Sequence, residues 1–473
     1  MTISRGLGLI SLSVLGLAAC GSSGTQGPAG AEGPPGPAGT GTATASVSGV
    51  IPSHAFLARK AEVTLSGFGT NWTKDTKVDF GPDVTVDNVQ VASPTALVVS
   101  ITIGKAAAAG PRDVSVTDGS TKIVYASGFR VDSPIAAKTI GTAAQGSIFL
   151  LHVDNKDLAT PFDTTQTGDG LFSPLVYTNL AATVGAGIDA SVHNVSVFGA
   201  DMLLFVDVTA PAADQALSIV SGPKGAKDNA EFPLPKAFPV AARKATTLAA
   251  GTPASGSISE AFGSALYQFT PGATLNVVDF VAAAAGTGKA PSITLLPKSG
   301  KFADRLGVGA SKTVAASTAD PFYLIYWDNT GEVGPHTVTA TQTAATGVPR
   351  AQSNTARSNA QAATTLPFVL QEAKLASTSD QAWISYTAAV GDVGKKIRVQ
   401  TVGGDPKTDT QVQIFQSDGT TSISGADPVD RDYHEDVLSS ALPAAGVYYI
   451  AITASSVYDS LHQDYQVIVR LQP

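Results

Sequence analysis

The chain has a single cysteine, Cys20, in 473 residues. That excludes a disulfide framework, so an exported form would rely on packing inside its domains. Lysine and arginine total 30 against 38 aspartates and glutamates, a net charge of −8, and no basic stripe occurs. Phosphate binding needs such a stripe, which argues against a nucleic-acid partner. Long amphipathic helical patterns are missing, and so is any apolar run long enough to span a bilayer as a helix. The six histidines are His54, His152, His193, His336, His434 and His462. None stands in an H-E-x-x-H pattern or beside a cysteine, so no zinc site of known spacing is present. G-x-S-x-G elbows, phosphate-binding glycine loops and thiol nucleophiles are absent as well. The chain is therefore not expected to be an enzyme. A hydrolase assembled from distant residues stays open as a lesser alternative, because sites need no local motif.

What is present begins at the N-terminus. Arg5 precedes an apolar stretch from Leu7 to Leu17, which ends in Ala18, Ala19 and Cys20. This reads as an export signal over residues 1–19. Its ending resembles the bacterial lipobox. The resemblance implies cleavage before Cys20, acylation of its thiol and anchoring in a membrane through the lipid, with Gly21 favouring the outer membrane. Glycine then recurs at Gly24, Gly27, Gly30, Gly33, Gly36 and Gly39, with Pro28, Pro34, Pro35 and Pro37 between. Strict Gly-X-Y fits a collagen-like homotrimer, because only glycine fits the crowded axis of three chains. It equally fits a monomeric polyproline-II spacer, which at ~3.1 Å per residue would reach on the order of 50 Å. Residues 20–45 are read as this anchor and spacer.

The remainder is β throughout. "AEVTLSGFG", "ALVVSITIG", "MLLFVDVTA", "HTVTATQT" and "DYQVIVRL" are short runs rich in β-branched residues, closed by Gly, Pro, Asp or Asn. Many short strands at close spacing predict an all-β chain of tandem β-sandwich domains, immunoglobulin-like and then jelly-roll-like. At ~100–150 residues each, four fit. The expected divisions are 46–133, 134–243, 244–344 and 359–473. Residues 345–358, poor in strand pattern and rich in Ser, Asn and Ala, are expected as a linker.

Residues 46–133 contain Pro52, "VTLSGFG" (63–69), "VDFG" (78–81) and "AGPRDVSVTDGS" (109–120). In that order they resemble the IPT/TIG family of immunoglobulin-like domains. Residues 134–243 read as a second immunoglobulin-like sandwich by analogy. In residues 359–473, Asp380–Trp383, Asp409–Gly419 and Gly446–Ile452 resemble the bacterial pre-peptidase C-terminal (PPC) family. Residues 244–344 offer Tyr267 and "FYLIYW" toward the same family. Both resemblances imply interaction and spacing modules rather than a catalyst.

Two acidic stretches bear on calcium, which takes several oxygens from a flexible loop. One holds Asp427, Asp430, Asp432, Glu435 and Asp436; the other holds Asp154, Asp157, Asp163 and Asp169. Arg431 and His434 dilute the first, neither has EF-hand spacing, and both also read as solvated loops. Of the tryptophans, Trp327 and Trp383 fall in strands and read as core or core edge. Trp72, in a loop, is the expected surface contact for a ligand such as a glycan. The function expected is a lipid-anchored protein of the cell envelope or surface. It would bind a glycan or an envelope protein, or act in adhesion, through loops at the sandwich ends. The alternative is a structural scaffold or assembly lipoprotein.

Overall fold

In the strand Ala96–Ile103, Leu97, Val99, Ile101 and Ile103 point inward and are buried, while Ala96, Val98, Ser100 and Thr102 alternate with them on the half-buried face. Period-two alternation is what one buried sheet face requires. Among the described residues the same logic builds the eight sheets of four sandwiches, and a ninth, two-stranded sheet pairs Gln166–Thr167 with Val176–Tyr177. The computed structural model describes residues 44–157, 160–167, 176–223, 230–285, 289–301, 309–377, 379–403, 410–424, 435–454 and 465–473. Cys20 and the glycine triplets lie outside these residues.

The first sandwich pairs two four-stranded sheets. Sheet A runs Ser46–Ile51, Lys60–Phe68, Ala96–Ile103, Val84–Ser93 in spatial order; sheet B runs His54–Phe56, Thr121–Asp132, Gly110–Asp118, Lys77–Asp79. Phe80 and Phe129 meet edge-on in its core at 5.1 Å. The second sandwich packs sheet C (Ile188–Ser196, Gly199–Val206, Ser147–Asn155, Ile135–Ile140) on the three-stranded sheet D (Leu180–Val184, Asp214–Ser221, Ala230–Pro239). The chain is all-β, in tandem β-sandwich domains.

The third and fourth sandwiches share one strand order. Sheet E holds Thr246–Thr247, Ser264–Phe269, Phe322–Asp328 and Pro291–Leu296; sheet F holds Ala254–Ile258, Gly334–Ala344, Asn276–Ala284 and Ser311–Ala316. Each successive strand crosses to the other sheet. The fourth sandwich repeats this. Sheet H holds Gln361–Ala363, Gln381–Ala388, Gly446–Ala454 and Thr410–Phe415. Sheet G holds Phe368–Gln371, Tyr465–Gln472, Lys396–Gly403 and Asp436–Leu438, with Thr346–Pro349 added beside Phe368–Gln371. In sheets E and H alike, the first strand is parallel to the second and the rest are antiparallel.

The stretch expected as a linker is therefore built into the fourth sandwich. Thr346–Pro349 pairs with Phe368–Gln371. Arg350 turns inward with only 1% of its side chain exposed and forms an ion pair with Asp380. Four paired residues are too few to print an alternating pattern, and a buried arginine reads as polar loop.

The sandwiches pack through sheet faces. In Phe322–Asp328 alternate residues serve two cores. Phe322, Leu324 and Tyr326 face sheet F, while Tyr323, Ile325 and Trp327 join Ile148, Leu203 and Phe205 of sheet C. Arg243 closes this junction, donating to the Gly146 carbonyl at 3.1 Å and the Ser264 carbonyl at 2.6 Å. On the opposite side, Val277 and Ala315 of sheet F meet Val369 and Ile468 of sheet G. Gln466 clasps the backbone of Ala315 with two hydrogen bonds, at 3.1 and 3.2 Å. The sheet layers thus run D, C, E, F, G, H, and among the described residues no other sandwich covers the outer face of H. The first and second sandwiches are joined by only two residues, 133–134, with Arg59 paired to Asp157 at 3.3 Å.

Candidate functional site

The uncovered face of sheet H carries aromatic side chains. Along Gln381–Ala388, Ala382, Ile384 and Tyr386 point into the core, so Trp383 and Ser385 point outward. Trp383 lies opposite Ala451, and Tyr449 lies between Ser385 and Phe415 in the next row. Alanine at 451 leaves the diagonal open. The Trp383 ring reaches across it to Phe415, with centroids 5.9 Å apart and planes 27° apart. The Trp383 indole N–H donates to Gln381 Oε1 at 2.9 Å. The guanidinium carbon of Arg357 sits 5.6 Å from the Tyr449 ring centroid, within cation–π range.

Arg357 is held there by the turn after Phe415. Its Nη1 donates to the Asp418 carbonyl at 2.5 Å. Gly419 has φ +66°, and a Cβ there would stand 1.4 Å from that same nitrogen. Only glycine suits both the backbone conformation and the close approach. Asp418 ties the turn together. Its carboxylate accepts from the Thr421 hydroxyl and from the backbone N–H groups of Thr421 and Thr420, which holds its pKa at about 2. The outcome is a row of three half-buried rings ending in a cation, flanked by the amides of Gln381 and Gln413. Such a row can hold the apolar face of a ligand while the amides and guanidinium take its polar groups.

A second cluster is buried in the third sandwich. His336 is 3% exposed, stacks on Tyr326 at 3.7 Å, and shares a 2.7 Å hydrogen bond between Nε2 and the Tyr267 hydroxyl. Its Nδ1 has no hydrogen-bond partner among the described residues. Burial lowers its pKa to about 4 and raises that of Tyr326 to about 12. The ring is thus neutral at pH 7. Gly256 packs closely on the pair, since a Cβ there would stand 2.7 Å from both His336 Nε2 and the Tyr267 hydroxyl, and an open surface cavity of about 310 Å³ lined by Ser255, Ala283, Ala284 and Pro335 borders the ring. His152 has the opposite setting on the outer face of sheet C. Its Nδ1 is 2.6 Å from Asp201 and its Nε2 3.0 Å from Asp154, bonds that raise its pKa.

The sequence candidates fall as follows. Trp72 lies in a loop, as expected, but it is not a surface contact. It is 4% exposed and belongs to the core of the first sandwich. Gly67 explains the turn inward, since a Cβ there would stand 2.8 Å from the indole. Trp327 is buried, at the junction with sheet C rather than in its own core. Asp427, Asp430 and Asp432 lie outside the described residues. Asp436 is not available to a calcium ion as expected, because its carboxylate accepts from Arg398 Nε at 2.7 Å and Nη2 at 2.5 Å. The Glu435 backbone N–H donates to the Thr401 hydroxyl. In the other stretch, Asp154 binds His152, Asp157 pairs with Arg59, and Asp163 accepts from the Thr165 N–H and Asn179. Asp169 lies outside the described residues. Among the described residues, no group of three or more His, Cys, Asp or Glu is placed to hold a metal ion.

No family model matches the chain, and no curated protein matches it in sequence. Solved structures aligned to it include tandem immunoglobulin domains. A chimeric titin Z1Z2 tandem is 13% identical, covering 42% of this chain and 97% of that one, at a TM-score of 0.17. The titin I9–I11 tandem is 9% identical over 64% and 98%, at 0.18. The eight N-terminal immunoglobulin domains of Down Syndrome Cell Adhesion Molecule are 11% identical over 91% and 54%, at 0.17. Scores this low carry no argument about function.

Proposed function

We propose that this is a non-enzymatic, lipid-anchored protein of the cell envelope that binds a partner through the outer face of its last sandwich. The carrying observation is the aromatic row Trp383–Phe415–Tyr449 with Arg357, on the sheet left uncovered at the end of the stack. The equivalent sheet of the third sandwich, E, supports this reading. Its outer face also carries aromatics, Tyr323 and Trp327, and it docks a neighbour. A purely structural scaffold has no need of such a face on a free sheet.

The lipobox ending at Cys20 supports tethering by lipid, in the outer membrane. The glycine triplets support a stand-off, as trimer or single strand. The motifs of residues 46–133 and 359–473 support IPT/TIG-like and PPC-like modules, which act in binding and spacing. Linked modules raise the effective concentration of a weak site, so one modest face suffices on a crowded surface. The partner class is an envelope glycan or protein.

The test is binding of residues 24–473 to separated envelope polysaccharide and protein fractions. Trp383→Ala and the Phe415→Ala/Tyr449→Ala pair are expected to weaken binding about tenfold or more, a loss of ~1–2 kcal/mol. Trp72→Phe, inside the first sandwich, is expected to leave affinity unchanged. Saturable binding that ignores Trp383, or no binding to any fraction, would exclude the face.

A further inference from the structure

The junction between the third and fourth sandwiches holds a nucleophile, a base, an acyl group and a cation in mutual contact. Thr313, on Ser311–Ala316, donates its hydroxyl to Asp279 Oδ1 at 2.6 Å. Gln400, on Lys396–Gly403 of the other sandwich, brings its carboxamide against that hydroxyl, with Nε2 3.3 Å from Thr313 Oγ1. Arg470 Nη2 donates to the carbonyl oxygen of the same carboxamide at 2.7 Å and to Thr313 Oγ1 at 3.3 Å. Its Nη1 holds Asp279 Oδ2 at 2.7 Å. The Gln400 nitrogen also donates to Asp436 Oδ2 at 3.3 Å, and Arg398 fixes that carboxylate. Gln400 is 8% exposed and the Arg470 side chain 14%, so water has little access.

We propose that Thr313 and Gln400 join in an ester that covalently links the third and fourth sandwiches. The hydroxyl oxygen of Thr313 attacks the side-chain carbonyl carbon of Gln400. Asp279 accepts the hydroxyl proton, as a general base placed within hydrogen-bond reach. The carbonyl electrons move onto oxygen, where the Arg470 guanidinium stabilises the oxyanion. The intermediate collapses with cleavage of the carbon–nitrogen bond. Asp279 returns the proton to the leaving nitrogen, and one ammonia departs. Nothing is oxidised or reduced, and no co-reactant is needed. Reacting groups held at contact distance on rigid strands gain the advantage of an intramolecular reaction. The ester would serve a chain whose single cysteine, Cys20, cannot form a disulfide within it.

Peptide mapping of the full chain, extracted from membranes, tests this. Trypsin cuts after Lys312, Arg350, Arg398 and Lys407. The expected product is peptide 313–350 joined to peptide 399–407, lighter than their sum by about 17 Da, one ammonia. Hydroxylamine should release the pair, as it does esters. Thr313→Val and Gln400→Glu should give the two peptides separately with no ammonia lost. Asp279→Asn should fold with an unchanged circular dichroism spectrum yet remain unlinked. Separate wild-type peptides at full mass would overturn the proposal without reference to any variant. A linked pair that survives Asp279→Asn or resists hydroxylamine would overturn the step as written.

Discussion

Replacing Arg350 by alanine is expected to destabilise the fourth sandwich by about 3–5 kcal/mol, the usual cost of removing one partner from a buried ion pair. All five guanidinium N–H groups are used. Nε donates to Asn354 Oδ1, Nη1 to the Lys374 carbonyl and Asp380, and Nη2 to Asp380 and the Gln381 carbonyl. The pair with Asp380 is two-pronged, at 2.9 and 3.0 Å, with side-chain exposures of 1% and 9%. Alanine would strand the carboxylate in a site closed to water. Burial pushes the Asp380 carboxyl up, but the bonds from Arg350 and the Ala376 N–H outweigh it, and its pKa lies below the ordinary value. That stability is present above the unfolded pKa and is lost as pH falls through the folded one.

Hydrogen exchange of Gln381–Ala388 and Gly446–Ala454 would resolve this sandwich from the others. Lysine at 350 should fall between wild type and alanine, since it keeps the charge but loses the planar fork. The double variant Arg350→Met/Asp380→Leu should be milder than Arg350→Ala, because no charge is left buried. An alanine effect below about 1 kcal/mol would show that the pair is relaxed and hydrated.

That arginine also shows where sequence patterns end. Strands with one wet face, such as Ala96–Ile103, announce themselves by alternation, and from them the all-β class and the sandwiches could be read. "FYLIYW" has no alternation because both faces are buried, each in a different hydrophobic cluster. A strand buried on both sides reads as a continuous apolar run. The run was visible, but not that its second face belonged to another domain. Trp383 carried the opposite signal. It reads as core or core edge from its place in a strand, but its neighbours Ala382 and Ile384 are the inward residues, and the ring lies half-buried on the outer face. Phe415 and Tyr449 join it through strand pairing across 66 residues of chain, which no local pattern encodes. Trp72 was placed in its loop correctly, but the direction of its ring depends on the missing side chain of Gly67.

Acid is expected to weaken the third sandwich through His336. The ring is charged at pH 6 in an unfolded chain, whereas in the fold its pKa is about 4 because burial disfavours the cation. The unfolded state therefore binds more protons between those values, and stability falls as pH falls. Between pH 7 and pH 5 the loss should be about 2 kcal/mol, at ~1.4 kcal/mol per pKa unit. Few carboxylates titrate in that window, and His152, whose pKa is raised, contributes there with the opposite sign. His336→Phe removes the group. It strands the Tyr267 hydroxyl and so lowers stability at every pH, by about 1–3 kcal/mol. The pH 7 to pH 5 slope should nonetheless flatten, and His336→Phe/Tyr267→Phe should recover part of the offset without restoring the slope. His152 provides the contrast. Its raised pKa gives a contribution present below the unfolded value and lost as pH rises through the folded one. His152→Gln should therefore steepen the acid-side loss, the opposite of His336→Phe. Thermal unfolding at pH 7, 6 and 5 reads all of these. If His336→Phe keeps the wild-type slope, the imidazole is protonated within the fold and its Nδ1 has found a partner.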